Sequence, residues 1–139
     1  MTEGNERIQQ MEAFFKNDAY AKFSGITIME VTEDYAKVGA VIGSQHFNGN
    51  GCVHGGMLYT IADFAFAVLS NYLHPITVTQ GGKIDYLRPG VSGTMTAVAK
   101  EKICVGRNSL CEVTVYDEKE EVLCMCTFNG FIKDTNKSE

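Results

Sequence analysis

Residues 55–73 read GGMLYTIADFAFAVLSNYL, a stretch that is apolar on nearly every face of a helix and carries a single carboxylate, Asp63, near its middle. A helix apolar all round is swallowed by a core or a membrane, and an unpaired charge inside it is costly enough that it neutralises or finds partners. The run therefore constrains the fold and points to a residue: the rest of the chain has to wrap this helix, and Asp63 is either structurally satisfied or functional. A membrane span is the first reading to test, because a bilayer needs about 20 apolar residues. It fails, since an aspartate near the helix centre costs roughly 2.5–3.5 kcal/mol on insertion and Gly55, Gly56, Thr60, Ser70 and Asn71 dilute the hydrophobicity that is left. There is no second such run, and MTEGNERIQQ at the start has acidic residues and no apolar core of the kind a signal peptide needs. The chain reads as a soluble, cytoplasmic protein.

With 139 residues, 45% of them hydrophobic, it can build one core, and residues 1–139 read as a single domain. A net charge of -5 and a pI near 5.2 argue against a dedicated nucleic-acid binder, which carries a basic face, while leaving room for a local basic patch that receives an anionic ligand. The five cysteines are an odd number and read as reduced thiols. Cys124 and Cys126 alternate along a strand-like run and share a face as small apolar residues. A zinc site from His46, Cys52 and His54 lacks standard spacing and a fourth ligand, so no metal is expected.

In the first 22 residues, Ile8, Met11, Phe14 and Phe15 recur at helical spacing, which predicts one amphipathic helix, a flank or lid, ending before Ser24-Gly25. From Ile26 the period becomes strand-like, with two runs forming a hairpin at Glu33-Asp34. A polar, glycine-rich loop, SQHFNGNGCVHGG, leads into the apolar helix. Four strands follow, Ile76 to Leu87, Thr94 to Val105, Ser109 to Asp117 and Val122 to Ile132, separated by turn signals. Short connections predict antiparallel pairing of consecutive strands, and residues 133–139 read as a frayed tail. The architecture that buries the helix on most sides is α+β, a strongly curved antiparallel sheet wrapped around one long central helix.

Gly55 and Gly56 open that helix although each glycine weakens it by about 1 kcal/mol relative to alanine. They permit close approach to backbone N–H groups that are unsatisfied and carry the positive end of the dipole, a setting that suits an oxyanion or polarised carbonyl. The plainer reading, tight packing of the helix start with His54 capping the turn, is equally compatible. Asn48 in N-G-N-G reads first as a turn residue.

Taken together, HFNGNGCVHGGMLYTIADFAFAVLSN resembles the signature of PaaI-like hotdog-fold acyl-CoA thioesterases: H-x-N-x-x-G-x-x-H-G-G, then an aspartate nine residues after the second histidine. The similarity continues through IDYLRP, Gly106-Arg107 and VTVYDEKEEVLCMCTFNGFI, covering nearly the whole chain beyond about Lys22. The resemblance implies a hotdog fold and hydrolysis of an acyl-CoA, aromatic (phenylacetyl or hydroxybenzoyl) or medium-chain, with no cofactor beyond the coenzyme A of the substrate. It implies Asp63 as nucleophile or base, Gly55 N–H polarising the thioester carbonyl, Asn48 beside the thioester or attacking water, His54 supporting that geometry, and Thr79 holding water near the carboxylate. Gly56, next to Gly55, is a candidate for binding the substrate or its CoA.

Helix geometry adds an inference. Gly55 and Asp63 are eight residues apart, about 12 Å of helical rise, whereas oxyanion donor and base or nucleophile both need to lie within about 3 Å of the reacting centre. A two-fold dimer with antiparallel helices solves this by bringing Gly55 of one subunit to Asp63 of the other; the resemblance agrees and suggests a homotetramer, a dimer of dimers. The stretch Gly81-Gly82-Lys83 departs from the commoner family pattern and suggests a bulge, space for a ligand, or a distortion at a subunit interface. Arg107 and Arg88, with Lys83, Lys100 and Lys102, are the candidates for CoA phosphates. Tyr59, Phe64 and Phe66 would line an acyl pocket or belong to the core. Two rival readings use the same fold, a non-catalytic acyl-CoA-binding regulatory module and a hotdog dehydratase; intact Asp63 and Asn48 disfavour the first, and the H-G-G-x6-D spacing the second.

Overall fold

The computed structural model describes residues 2–133. The N-terminal flank is two helices rather than the single one expected, α1 (Glu3–Phe14) and α2 (Ala19–Phe23). The break has a local cause: Asp18 Oδ1 accepts the Ala21 N–H at 3.0 Å, which supplies a new N-cap and restarts the helix. After β1 (Thr27–Val31) and β2 (Ala36–Val41), the expected hairpin turn is closed by Thr32, whose Oγ1 accepts the N–H groups of Asp34 and Tyr35, each at 3.0 Å. The long helix α3 (Gly55–Leu73) is followed by β3 (Thr77–Tyr86), β4 (Thr94–Val105), β5 (Asn108–Tyr116) and β6 (Val122–Ile132).

These strands form one antiparallel sheet in the order β1-β2-β4-β5-β6-β3. Consecutive pairing holds for β1-β2, β4-β5 and β5-β6 and fails at β3, which lies on the far edge beside β6 instead of next to β4. The connection from 87 to 93 carries the chain across: Leu87 N–H bonds to Leu123 O, Gly90 O accepts from Val53 N–H, and Gly93 O accepts from Ile42 N–H. It thereby passes the start of α3 on its way from one side of the sheet to the other.

The helix is enclosed as its composition demands. Ala62, Ala65, Val68 and Leu69 are fully buried, and small residues opposite them, Ala97 and Ala99, let the sheet approach closely. Phe66 stacks on Phe128 at 5.3 Å, and Phe64 meets Phe15 edge to face at 5.2 Å. Phe66 thus belongs to the core, while Phe64, also buried, reaches the lining of a cavity of about 360 Å³ formed with Phe15, Asp18 and Ile28.

Two bulges re-aim side chains. On β3 the register steps from Thr79↔Gly130 to Gly81↔Asn129, leaving Gln80 without a partner; Thr79 and Gly82, three apart, consequently both face the helix. On β4 the register steps from Glu101↔Cys111 to Ile103↔Leu110. The cysteines at 124 and 126 share the buried face as expected, and all five cysteines are free thiols. Lys133 N–H still bonds to Ile76 O at 2.8 Å; the remainder of the tail expected to fray lies outside the described residues. Among the described residues no helix is long and apolar enough to cross a membrane.

Candidate active site

Asp63 sits half-buried on the side of α3 that faces β3, and Thr79 Oγ1 donates to its Oδ1 at 2.9 Å. Oδ2 has no hydrogen-bond partner among the described residues. Burial raises the Asp63 pKa above the ordinary carboxylate value, the Thr79 hydrogen bond partly opposes the rise, and the negative charge of Asp18 at the start of α2 adds to it. Among the described residues no cation compensates. The sequence anomaly is therefore real in three dimensions: a carboxylate destabilised by its surroundings and oriented by one hydroxyl, which is how a general base or nucleophile is prepared.

Two turns earlier, the start of α3 is shaped by its cap. His54 Nδ1 accepts the Gly56 N–H at 2.8 Å, and His54 O accepts from Met57 and Leu58. Gly55 N–H is left with no acceptor among the described residues, an orphan donor at the positive end of a 19-residue helix. Tyr86 Oη donates to Gly55 O at 3.0 Å, and a methyl group on residue 55 would come within 3.1–3.3 Å of the Tyr86 ring and hydroxyl. Glycine here keeps Tyr86 and the helix start in contact. An open groove of about 580 Å³ runs past this point, lined by His54, Gly55, Gly56, Tyr86 and Arg88 among others.

The loop before the helix is built by its own polar side chains. Asn48 Oδ1 accepts from Asn50 N–H at 2.8 Å and Cys52 N–H at 3.2 Å, so its amide oxygen holds the turn. Among the described residues its Nδ2 meets only the Cys52 sulfur, at 3.7 Å. Buried His46 spans two elements: Nδ1 accepts from Gly43 N–H at 3.0 Å and Nε2 donates to Ser24 O at 2.8 Å. With both ring nitrogens used, His46 has none for a metal, which removes the zinc grouping with Cys52 and His54.

A family model for the thioesterase superfamily matches residues 50–124, a span that contains the loop end, all of α3, and β3 to β5. The acyl-coenzyme A thioesterase PaaI of Escherichia coli (strain K12) is 32% identical over 118 residues, 84% of each chain. This chain belongs to the thioesterase superfamily. The structure of the E. coli PaaI protein from the phenylacetic acid degradation operon superposes with a TM-score of 0.87 at 28% identity, covering 96% of this chain and 97% of that one. A single-substitution mutant of the phenylacetic acid degradation protein PaaI from Thermus thermophilus gives 0.79 at 29%, covering 84% of this chain and 100% of that one. The thioesterase has the α+β hotdog fold and is a thioester hydrolase of the PaaI-like family.

Within one subunit the thioesterase brings Asp63 and Thr79 together, and gathers His54, Gly55 and Gly56 at the helix start. It does not join the two groups, which the helix separates by about 12 Å. Gly82 is no ligand space: a methyl group there would fall on the Tyr59 hydroxyl and within 2.9 Å of Phe128. Gly81 faces open space. Arg88 lines the groove but is held by Glu121 at 3.0 Å and Val122 O at 3.0 Å. Arg107 lies over the Phe131 ring, 5.8 Å from its centroid, at the opposite end of the β5-β6 ladder. Lys83 pairs with Asp85 and Lys102 with Glu112. Sequence reasoning missed two residues, Tyr86 against Gly55 and Asp18 near Asp63. Neither stands at a spacing that would mark it, because both arrive through tertiary contacts.

Proposed function

We propose that this thioesterase hydrolyses an acyl-CoA by an Asp63-dependent route in a cleft shared between two copies of the chain. The observation that carries the reading is the Thr79-held Asp63 carboxylate, half-buried and without a countercharge among the described residues, on the same helix whose N-terminus presents the orphan Gly55 N–H. The relative's activity, as its name states it, points to the same substrate class. The 12 Å separation supports a dimer, and so does β3, a ten-residue edge strand exposed along most of its length. Antiparallel pairing of that edge with its symmetry mate would carry α3 of one subunit alongside α3 of the other. A homotetramer built from two such dimers fits the family pattern.

In this mechanism Gly55 N–H stabilises the oxyanion that develops on the thioester carbonyl. The Asp63 carboxylate of the other subunit either attacks the carbonyl carbon or removes a proton from the attacking water. In the first route the C–S bond breaks to release CoA thiolate, which takes a proton from solvent, and water then cleaves the mixed anhydride on Asp63. In the second, hydroxide adds directly and the thiolate leaves with the proton that Asp63 holds. Asn48, through Nδ2, and Thr79 orient water and substrate, and His54 fixes the first turn of the helix. Arg88 and Arg107 are the phosphate-binding candidates, and no metal takes part in the reaction. Cytoplasmic location follows from the same reading.

The test is CoA release from a panel of aliphatic and aromatic acyl-CoAs. Wild type should turn over at least one class and Asp63→Ala should lose activity by orders of magnitude; an inert wild type or a fully active variant refutes the proposal. Single turnover in heavy-oxygen water separates the two routes, because only the anhydride path leaves the label in the protein.

A further inference from the structure

At the other end of α3 from Gly55, three potential ligands converge: His74 Nε2, Glu101 Oε2 and Cys104 Sγ, all within 4.8 Å of one another. They are spread over 31 sequence positions, and the β4 bulge is what unites two of them. Glu101 and Cys104 are three residues apart and on a regular strand would face opposite sides. With Lys102 inserted, their β5 partners are Cys111 and Ser109, two apart, so both side chains lie on one face of the sheet. His74, the C-cap of α3, enters from above that face and contacts Glu101 at 2.7 Å. Ser109 Oγ, fully buried, donates to the same Glu101 oxygen at 2.5 Å.

From this arrangement we infer a binding site for one borderline-soft divalent cation, Zn²⁺ in type, held by His74, Glu101 and Cys104 with water as fourth ligand. The donor set, one nitrogen, one oxygen and one sulfur, is that of a four-coordinate zinc centre. Metal–ligand lengths of about 2.0–2.3 Å place tetrahedral ligands roughly 3.3–3.7 Å apart, so the group closes by small side-chain rotations. Ser109 supplies the outer hydrogen bond that orients the carboxylate, and the carbonyl end of the helix favours a cation. Ligation through His74 Nε2 puts the imidazole proton on Nδ1, the Cys104 thiol proton is released to solvent, and no redox change occurs. Eleven residues, about 16 Å of rise, separate His74 from Asp63, so the site pins the helix end to β4 and β5 and leaves the hydrolytic centre untouched.

The full chain, stripped with a chelator and kept reduced with a phosphine, is titrated with Co²⁺. A thiolate-to-cobalt charge-transfer band in the near ultraviolet, with the strong visible absorption of tetrahedral cobalt, is expected and should vanish on adding Zn²⁺. Cys104→Ser should abolish the thiolate band, Ser109→Ala should weaken binding at least tenfold, and Cys52→Ser should change nothing. Cys104 is exposed, so its variant folds, as matching thermal midpoints of the metal-free proteins verify. Absence of the band in wild type, its survival in Cys104→Ser, or its loss in Cys52→Ser overturns the inference.

Discussion

The adjacent glycines of β3 make opposite demands on the fold, and substituting each by alanine measures the difference. At Gly82 a methyl group collides with the Tyr59 hydroxyl and comes within 2.9 Å of two Phe128 ring carbons. Tyr59 is half-buried and its tip can swing, but Phe128 is fully buried, stacked on Phe66 at 5.3 Å and packed edge to face against Tyr59 at 5.4 Å. It has nowhere to go, so the overpacking penalty of about 1–3 kcal/mol applies. Restricting the unfolded chain returns about 0.4–1 kcal/mol, which leaves Gly82→Ala destabilised by roughly 1–2 kcal/mol. For a chain of this size that lowers the melting midpoint by roughly 3–8 °C. Gly81 meets nothing within 4 Å, so Gly81→Ala retains only the favourable term and should match or slightly exceed wild type. Urea unfolding followed by far-ultraviolet circular dichroism reads both. Equal stability of Gly82→Ala and wild type, or a comparable loss in Gly81→Ala, would show that the tyrosine-filled space over Gly82 is misread.

Asp63→Asn should abolish hydrolysis and yet melt higher than wild type at neutral pH. Burial raises the folded-state pKa, so the favourable contribution of the protonated carboxyl is complete below the unfolded value and is lost as pH rises through the folded one. The gap in melting temperature should close on acidification toward the ordinary carboxylate range; a gap that widens contradicts the assignment. Thr79→Val removes the hydrogen bond that favours the charged form and should move the acid limb of kcat/KM to higher pH, with Thr79→Ser restoring it. An unmoved limb would mean that Thr79 does not act on the carboxylate. His46→Ala leaves Gly43 N–H and Ser24 O unpaired in a buried site and should cost about 2–4 kcal/mol of stability in denaturant titration. Stability equal to wild type would refute that accounting.

Much of the fold was legible because it is written in short-range periodicity. The bounds of α3, β4 and β6 follow from where the apolar pattern begins and ends, and the all-round apolarity of α3 already required a sheet that wraps it. What escaped was decided by single polar contacts or by long-range pairing. Asp18 splits the N-terminal helix with one side-chain hydrogen bond, and the crossing 87–93 segment places β3 beside β6. At the site, Asp63 was singled out by one charge in an apolar run, and Asn48, His54 and Gly55 by the compound motif, and their roles in hydrolysis are what is proposed.

By itself, then, the sequence determined the class of fold, the helix at its centre and the residue on which hydrolysis is proposed to turn, since each depends on patterns within a dozen neighbouring positions. Tertiary structure alone decided which other side chains meet: Tyr86 with Gly55, Tyr59 with Gly82, and His74 with Glu101 and Cys104. The reason is geometric. A bulge of one residue on β3 or β4 inverts which side chains share a face, and the alternation of apolar and polar residues carries no mark of where that extra residue falls until the partner strand supplies the register.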